Sequence, residues 1–287
     1  MMEPGHQLEG QVSKHALTFD IEEHFQVSAF WTSERRQQWD RLESRVERNT
    51  MKIVEILASR STKATFFVLG WIAERHPALV KRLAASGHEI ACHGYGHELI
   101  SNLSPAAFRE DIRRSKDILE NLTGRRVVGY RAPSFSITSW ALEILVEEGF
   151  QYDSSINNRF RSSTTGTVGK SSNCYPIRTR SGVLVEIAPS TVTTLGVQLP
   201  VGGGGYFRLL PYNATRMLLK RLESQGSPLV IYLHPWELDP EQPRMKGTLL
   251  SKARHYLNLD KTEEGLRRLL DDFVFRPIGE VANLLAT

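Results

Sequence analysis

From residue 15 onward, short apolar runs of β-forming residues alternate with amphipathic stretches of helical length, and this alternation limits the possible folds more than any other feature. It is typical of repeated βα units, whose strands form a largely parallel sheet. Strands are predicted at about 15–22, 64–69, 88–93, 127–131, 151–156, 182–188 and 228–234. Seven strands with helices between them favour an α/β barrel, although an open doubly wound sheet gives the same alternation.

The segments between the strands carry the signals at which helices begin and end. Ser104 is an N-cap followed by proline at the first helical position, and Gly124 ends that helix. Asn213 is predicted to cap a helix that runs to residue 225. Further helices are predicted at 71–86, about 139–148 and 262–271.

The chain length fits a single domain. A chain of 287 residues is within the range of one α/β barrel. We therefore predict a tail at residues 1–13 and one catalytic domain at 14–287. The polar segments 157–181 and about 236–261 lack periodicity, so they are predicted to be surface loops that shape a cleft.

Composition excludes several classes of protein. The 36 basic and 32 acidic residues are interspersed, which argues against nucleic-acid binding despite the net charge of +4. The sequence lacks a secretory h-region and any apolar run of the roughly 20 residues that span a bilayer, so we expect a cytoplasmic protein without a membrane span. Two cysteines are too few for a disulfide framework, and Cys92 is expected to be a small buried residue rather than a metal ligand.

Two carboxylates share one face of the first predicted strand. Alternation places Leu17, Phe19 and Ile21 on one face, and it places Asp20 and Glu22 on the other. Both carboxylates lie at the carboxyl end of the strand, where catalytic groups gather in parallel barrels.

Two histidines follow the third predicted strand in the run His93-Gly-Tyr-Gly-His97. Imidazoles four positions apart can bind one cation, and the glycines allow the chain to turn sharply around it. With one carboxylate they make three protein ligands and leave a position open for water. That is the arrangement of a catalytic metal site rather than of a structural one.

Two further candidates lie at strand ends. Arg131 follows the fourth strand and is predicted to form a bidentate pair with Asp20. His234 ends the last apolar strand directly before Pro235, where an acid or base role is favoured.

The ordered motifs TFDIEEHF, ATFFVLG, HEIACHGYGH, GYRAPSFS, YDSS and VIYLHPWELDP resemble the polysaccharide deacetylase superfamily with the NodB homology domain, family 4 of the carbohydrate esterases. DIEEHFQVSAF, GGGGYFRLLP and YLHPWELDPEQPR are similar to the subgroup associated with exopolysaccharide biosynthesis and exosortases. The resemblance runs from about 14 to 278, with a subgroup-specific part from about 157. It implies a distorted (β/α) barrel of seven strands and a metal-dependent N-deacetylase.

The resemblance also implies roles for individual residues. It makes Asp20 the general base, Arg131 the partner of that base, and His234 the general acid, tuned by Asp153. It implies His93 and His97 as metal ligands and the N–H of Ser134 as the oxyanion donor. The remaining ligand is Glu22 or Glu23: strand alternation favours Glu22, and a bulge would reverse the choice.

The expected function is therefore removal of N-acetyl groups from amino sugars of a bacterial polysaccharide. Zn²⁺ is the expected metal, and Co²⁺, Ni²⁺ or Mn²⁺ would suit the same ligands. The residues expected to contact substrate are Tyr95, Pro133, Leu233 and Trp236. Trp236 is expected to offer a stacking face to a sugar ring, and Leu233 to form part of an acetyl pocket. The alternatives are a hydrolase of a small linear or cyclic amide and a non-catalytic carbohydrate-binding protein. The glycine run 202–205 is read as a close backbone approach, such as by a sugar chain, rather than as a phosphate loop.

Overall fold

The computed structural model describes residues 15–30, 32, 36–156, 173–194 and 197–286. Within these ranges the chain forms ten strands. They are β1 (Ala16–Ile21), β2 (Thr65–Val68), β3 (Glu89–Cys92), β4 (Gly129–Tyr130), β5 (Tyr152–Asp153), β6 (Cys174–Arg178), β7 (Val183–Ile187), β8 (Val192–Thr194), β9 (Val197–Leu199) and β10 (Val230–Leu233). The predicted tail at 1–13 and most of the predicted loop, 157–172, lie outside the described residues.

Eight of the strands form one sheet in the order β10-β1-β2-β3-β4-β5-β7-β6. Every neighbouring pair from β10 to β7 is parallel, and only β6 is antiparallel. Strand order follows chain order around this sheet, as in a barrel, and β7 and β10 come last. The predicted α/β barrel with seven parallel strands is confirmed.

The gap between β7 and β10 is bridged by loop backbone. Ser190 N donates to Val230 O at 3.0 Å, and Tyr232 N donates to Gly202 O at 2.7 Å. A side chain at Gly203 would place its Cβ 1.8 Å from Tyr232 O. The glycine run thus permits a close backbone approach, as predicted, but the partner is β10 and not a sugar.

The helices are α1 (Val46–Ala58), α2 (Gly70–Arg75), α3 (Pro77–Ala85), α4 (Pro105–Thr123), α5 (Ser139–Glu147), α6 (Gly205–Leu209), α7 (Tyr212–Ser224), α8 (Leu249–Tyr256), α9 (Thr262–Asp272) and α10 (Ile278–Ala286). Ser104 caps α4 by accepting a hydrogen bond from Ala107 N, as predicted. The predicted helix 71–86 is two helices, because Pro77 has no N–H to continue the first one.

One prediction about a helix end and one about loops were wrong. Asn213 is not an N-cap, since α7 begins one residue earlier and Pro211 holds the cap position. The segments 157–181 and 236–261 contain regular structure, namely β6 and α8. β6 pairs with β7 as a hairpin, and this pairing supplies its backbone hydrogen bonds. The polar segment that contains β6 carries no periodic pattern that predicts a strand.

The core has a large outer part and a small inner part. Leu17, Phe19 and Ile21 belong to the outer part, which lies between the sheet and the helices. The inner part includes Phe67 and Tyr152 and is closed from below by α10. Thr18 and Asp20 lie on the inner face of β1, so the catalytic end of the barrel is built on a packed floor. Within the described chain, no helix combines the length and the apolar character needed to cross a bilayer.

Candidate metal centre and active site

Glu22, His93 and His97 form a buried cluster whose ligand atoms all lie within 4.8 Å of one another. Glu22 directly follows β1, and His93 directly follows β3, two strands away in the sheet. His97 lies in the loop that follows β3, and its Nε2 lies 2.6 Å from Glu22 Oε2. Parallel strands end at the same rim, which is why Glu22 and His93 meet here although they are 71 positions apart in sequence.

The loop geometry orients both histidines. His93 Nδ1 lies 2.8 Å from Arg131 O, which leaves Nε2 of the same ring for a ligand. Gly94 and His97 have positive φ angles of 76° and 53°, so the chain turns back within five residues. Burial lowers the pKa of His93 to about 4, so the ring is neutral at physiological pH, as metal binding requires.

Glu22 and Glu23 point in opposite directions. Glu23 turns toward the N-terminus of α1, where it accepts hydrogen bonds from Arg45 N at 3.1 Å and Val46 N at 3.2 Å. Its carboxylate thus satisfies backbone donors that a helix end leaves open. Strand alternation favours Glu22 as the ligand, and the structure likewise places Glu22 alone of the two in the cluster.

Asp20 and Arg131 form an ion pair inside the barrel. Arg131 Nη1 donates to Asp20 Oδ1 at 2.6 Å and to Thr18 Oγ1 at 2.8 Å. Its Nε and Nη2 donate to the backbone carbonyl and the hydroxyl of Ser154. The pair is therefore single, not bidentate as predicted, because Ser154 takes the other edge of the guanidinium. Asp20 Oδ2 stays available on the side that faces His234.

His234 stands over both carboxylates. Its Nε2 lies 3.8 Å from Asp20 Oδ2 and 3.8 Å from Glu22 Oε1. Its Nδ1 lies 2.7 Å from Glu237 Oε1. Burial lowers the pKa of His234, but Glu22, Glu237 and Asp20 together outweigh it and raise the pKa to about 9. The imidazolium form is therefore populated at neutral pH.

Glu237 takes the position that was predicted for Asp153. Glu237 is fully buried, and its Oε2 accepts a hydrogen bond from Arg208 Nε at 2.7 Å. Asp153 instead lies on β5 opposite Glu186 of β7 and accepts a hydrogen bond from Ser155 Oγ. Burial raises the pKa of Asp153 to about 6. The missed signal was local: Glu237 is three residues after His234, the spacing of a capping box, which the structure forms.

Trp236 is a packing and hydrogen-bonding residue. Its indole stacks between His234 and His255, with ring centroids 5.0 Å and 4.1 Å away. Its Nε1 donates to Glu22 Oε1 at 3.0 Å. Because both faces are covered, the prediction that Trp236 stacks on a sugar was wrong. It holds the Glu22 carboxylate instead.

Comparison with known proteins matches these features to a family. Residues 11–152 match the family described as polysaccharide deacetylase. Residues 11–152 form a polysaccharide deacetylase domain. Residues 154–283 match a separate family, described only as a domain of unknown function. The deacetylase domain carries Asp20 and the metal cluster, while His234, Trp236 and Glu237 come from the second match.

Relatives agree with this assignment. A peptidoglycan-N-acetylglucosamine deacetylase of Bacillus cereus is 31% identical over 134 residues, which cover 42% of this chain and 49% of that protein. The match thus spans about half of the curated relative. A Mycobacterium smegmatis protein named as a candidate polysaccharide deacetylase has the same fold, with a TM-score of 0.67, 22% identity and coverage of 98% and 93%. Puue allantoinase also shares the fold, with a TM-score of 0.61, 15% identity and coverage of 99% and 97%.

The two matched segments contribute strands to one sheet. Strands β1–β4 and the first residue of β5 come from the first segment, and β6, β7 and β10 from the second. The domain of unknown function thus completes the barrel and brings His234 to the rim. Neither segment alone holds the whole site.

Two residues predicted to contact substrate lie elsewhere. Leu233 is fully buried in the outer core, since its side chain points away from the barrel interior. Tyr95 donates its hydroxyl to Glu74 and stacks under Arg114 on the helical side. Tyr232, one residue before Leu233, faces inward instead, and its ring centroid lies 5.9 Å from that of His234.

The segment after β4 forms a strained turn beside Tyr232. Pro133 is buried, and Ser134 and Phe135 both have positive φ angles, 52° and 57°. Consecutive non-glycine residues in this region are uncommon and costly, which is typical of functional loops. The turn places the Phe135 ring 4.8 Å from the Tyr232 ring. Cys92, by contrast, packs in the core and is not part of the cluster, as expected.

Proposed function

We propose that this protein is a metal-dependent hydrolase that removes N-acetyl groups from amino sugars of a bacterial polysaccharide, including an exopolysaccharide. The observation that carries the proposal is the convergence of Asp20, His234 and the Glu22-His93-His97 cluster at one rim. Family membership supports the same reaction, and curated relatives are named for deacetylation of peptidoglycan and of chitooligosaccharides.

The cluster fits a divalent cation. One carboxylate and two imidazoles, all buried and with ligand atoms within 4.8 Å, form a three-ligand set of the catalytic type. We favour Zn²⁺ for these ligands, and Co²⁺, Ni²⁺ and Mn²⁺ would also suit them. A bound cation would act there as a Lewis acid, which promotes ionisation of water and polarises a carbonyl group.

Asp20 is the proposed general base. Its Oδ1 is held by Arg131, and its Oδ2 faces His234 across 3.8 Å. The buried guanidinium fixes the orientation of the carboxylate. Asp20 can therefore take a proton from a water molecule that attacks the acetyl carbonyl.

His234 is the proposed general acid. Amide hydrolysis needs a proton on the departing nitrogen, and the raised pKa of His234 keeps a proton on Nε2. Glu237 binds Nδ1, so the ring cannot rotate away. The N–H of Ser134 is the proposed donor to the oxyanion, and Tyr232 and Phe135 are the proposed walls of the acetyl site.

The test is acetate release from defined N-acetylated oligosaccharides, with and without a chelator. We expect turnover with Zn²⁺ or Co²⁺, loss of turnover with chelator, and recovery when metal is restored. His234→Ala should abolish turnover but keep its metal content, because His234 is not in the cluster. Metal loss in that variant would contradict its assignment as the acid.

The same assay separates two other functions. Turnover of small amides, including allantoin, without turnover of oligosaccharides would replace the polysaccharide by a small substrate. Binding of oligosaccharide by the metal-loaded protein without acetate release would indicate a non-catalytic carbohydrate-binding protein.

A further inference from the structure

The surface around α8 is strongly basic. From residue 242 to 259 the sequence has no aspartate or glutamate, while it has four basic residues: Arg244, Lys246, Lys252 and Arg254. All four side chains are exposed. Within the described residues, Arg244, Lys252 and Arg254 form no ion pair with a carboxylate. This segment therefore presents positive charge that the fold does not neutralise.

The same helix exposes adjacent leucines at its first turn. Leu249 is 87% exposed and Leu250 is 60% exposed. They begin a helix that Thr248 caps through its hydroxyl, so the backbone there is regular. The opposite face of α8 carries His255, which is buried against Trp236. The helix is thus anchored inward by His255 and carries its leucines outward.

Met217 on α7 is also exposed and apolar, but the charged residues around it differ from those around Leu249 and Leu250. It is 66% exposed, but the basic residues beside it are paired: Arg216 with Asp272, and Lys220 with Glu223. Among the described residues, Arg244, Lys252 and Arg254 form no such pair with a carboxylate. Leu249 and Leu250 therefore lie near Arg244, Lys252 and Arg254 in the same segment, whereas Met217 lies beside cations that are paired.

We propose that α8 and the turn before it, residues 244–254, dock on the surface of a bilayer that contains anionic lipids. Lipid headgroups attract the basic side chains, and the interfacial region accepts the two leucines. A soluble polyanion would satisfy the charges but would leave Leu249 and Leu250 in water. The combination therefore favours a lipid surface as the partner.

Docking at α8 would bring the catalytic rim toward the membrane. His255 of α8 stacks on Trp236, and Trp236 donates its indole N–H to Glu22 of the metal cluster. This consequence rests on the proposed deacetylase function: a substrate saccharide held at the membrane by a lipid anchor would be within reach. The docking itself does not depend on that function.

The test is cosedimentation of the purified full chain with vesicles of phosphatidylcholine and phosphatidylglycerol, and with vesicles of phosphatidylcholine alone. We expect binding to the mixed vesicles, weakened by salt, and little binding to the neutral ones. The double variant Leu249→Ser, Leu250→Ser should bind at least about tenfold more weakly, because both apolar side chains are lost. Met217→Ser is the matched control and should bind as the wild type does.

Two outcomes would overturn the proposal. One is equal binding of the wild type and the double leucine variant, which would reduce the interaction to charge alone, as for a soluble polyanion. The other is absence of wild-type binding to mixed vesicles. Turnover of a soluble oligosaccharide should be unchanged in the double variant, so failure of docking and failure of the proposed catalysis give separate readouts.

Discussion

Glu237 Oε1 lies 2.7 Å from Nδ1 of His234, which fixes the direction of the imidazole. Because Nδ1 is bound to this carboxylate, Nε2 faces Asp20 and Glu22. Arg208 binds the other oxygen of Glu237, so a buried chain of Arg208, Glu237 and His234 ends at the catalytic rim. All three residues lie within the domain of unknown function, which gives that segment a defined place in the active site.

Replacement of Glu237 by Gln should lower kcat by at least about tenfold, because the amide keeps the shape but removes the charge that supports imidazolium. The basic limb of the pH profile should also move to lower pH. His234 must be protonated to act as the acid, and without Glu237 its pKa falls from about 9. The measurement is kcat against pH.

Glu241→Gln is the control for that variant, since Glu241 is an exposed carboxylate a few residues away. The thermal stability of both variants should be measured as well, because Glu237→Gln leaves Arg208 without its charged partner and can destabilise the fold. A fall in kcat with an unchanged pH profile would mean that Glu237 has a structural role only.

Metal analysis of variants can distinguish the roles of Glu22 and Glu23. Glu22→Gln should lose metal and turnover, because a neutral amide is a poor ligand for a divalent cation. Glu23→Gln should keep its metal and lose about 1 kcal/mol of stability, since it weakens the cap of α1. Metal loss from the Glu23 variant alone would reverse the assignment.

Trp236→Phe tests the hydrogen bond to Glu22. Phenylalanine keeps an aromatic ring between His234 and His255 but removes the indole N–H. We expect metal affinity to fall by about 10–100-fold, the usual cost of losing a group that orients a ligand. Titration with Zn²⁺ against a competing chelator measures it. Trp140→Phe, in the outer helical layer, is the control and should bind metal like the wild type.

Asp153→Asn should change how stability depends on pH. Burial raises the pKa of Asp153 from 3.8 to about 6, and it also raises the pKa of the neighbouring Glu186. The folded state therefore binds more protons than the unfolded state above pH 4. Because of this pair, the stability of the folded protein falls as pH rises through 6. Asparagine has no carboxyl proton to lose. The stability of the variant relative to the wild type should therefore increase between pH 4 and pH 8, by on the order of 1 kcal/mol or more.

Thermal unfolding across that pH range checks this prediction. Asp117→Asn, an exposed carboxylate on α4, should follow the wild type at every pH. A difference between Asp153→Asn and the wild type that stays constant from pH 4 to pH 8 would show that the carboxyl pair does not carry a proton in the native state.

Local pattern was enough to locate most of the candidate site. Alternation along β1 separates Asp20 and Glu22 from Leu17 and Phe19 without knowledge of the fold, because side chains alternate strictly between the two faces of a strand. His93 and His97 follow from their spacing and the glycines between them. Parallel strands then bring these residues to one rim, whichever residues lie between.

The sequence did not decide which of two carboxylates is the partner of His234, although the three-residue spacing of Glu237 was a local signal for it. Asp153 and Glu237 are both carboxylates near strand ends, and only the strand order shows that β5 lies five places from β10. On β5, Tyr152 occupies the barrel interior, so Asp153 turns to the other face and meets Glu186. The same applies to Trp236, whose neighbour His255 is 19 residues away.

The sequence by itself determined the seven parallel strands and placed Asp20, Glu22, His93 and His97 at one rim, because these depend on periods of two and on glycine and proline signals within a few residues. The tertiary structure alone decided which carboxylate orients His234, which residue of β10 faces the barrel interior, and what covers Trp236. These depend on distances between side chains from different strands and loops, which are set only when the sheet curls and closes on its core.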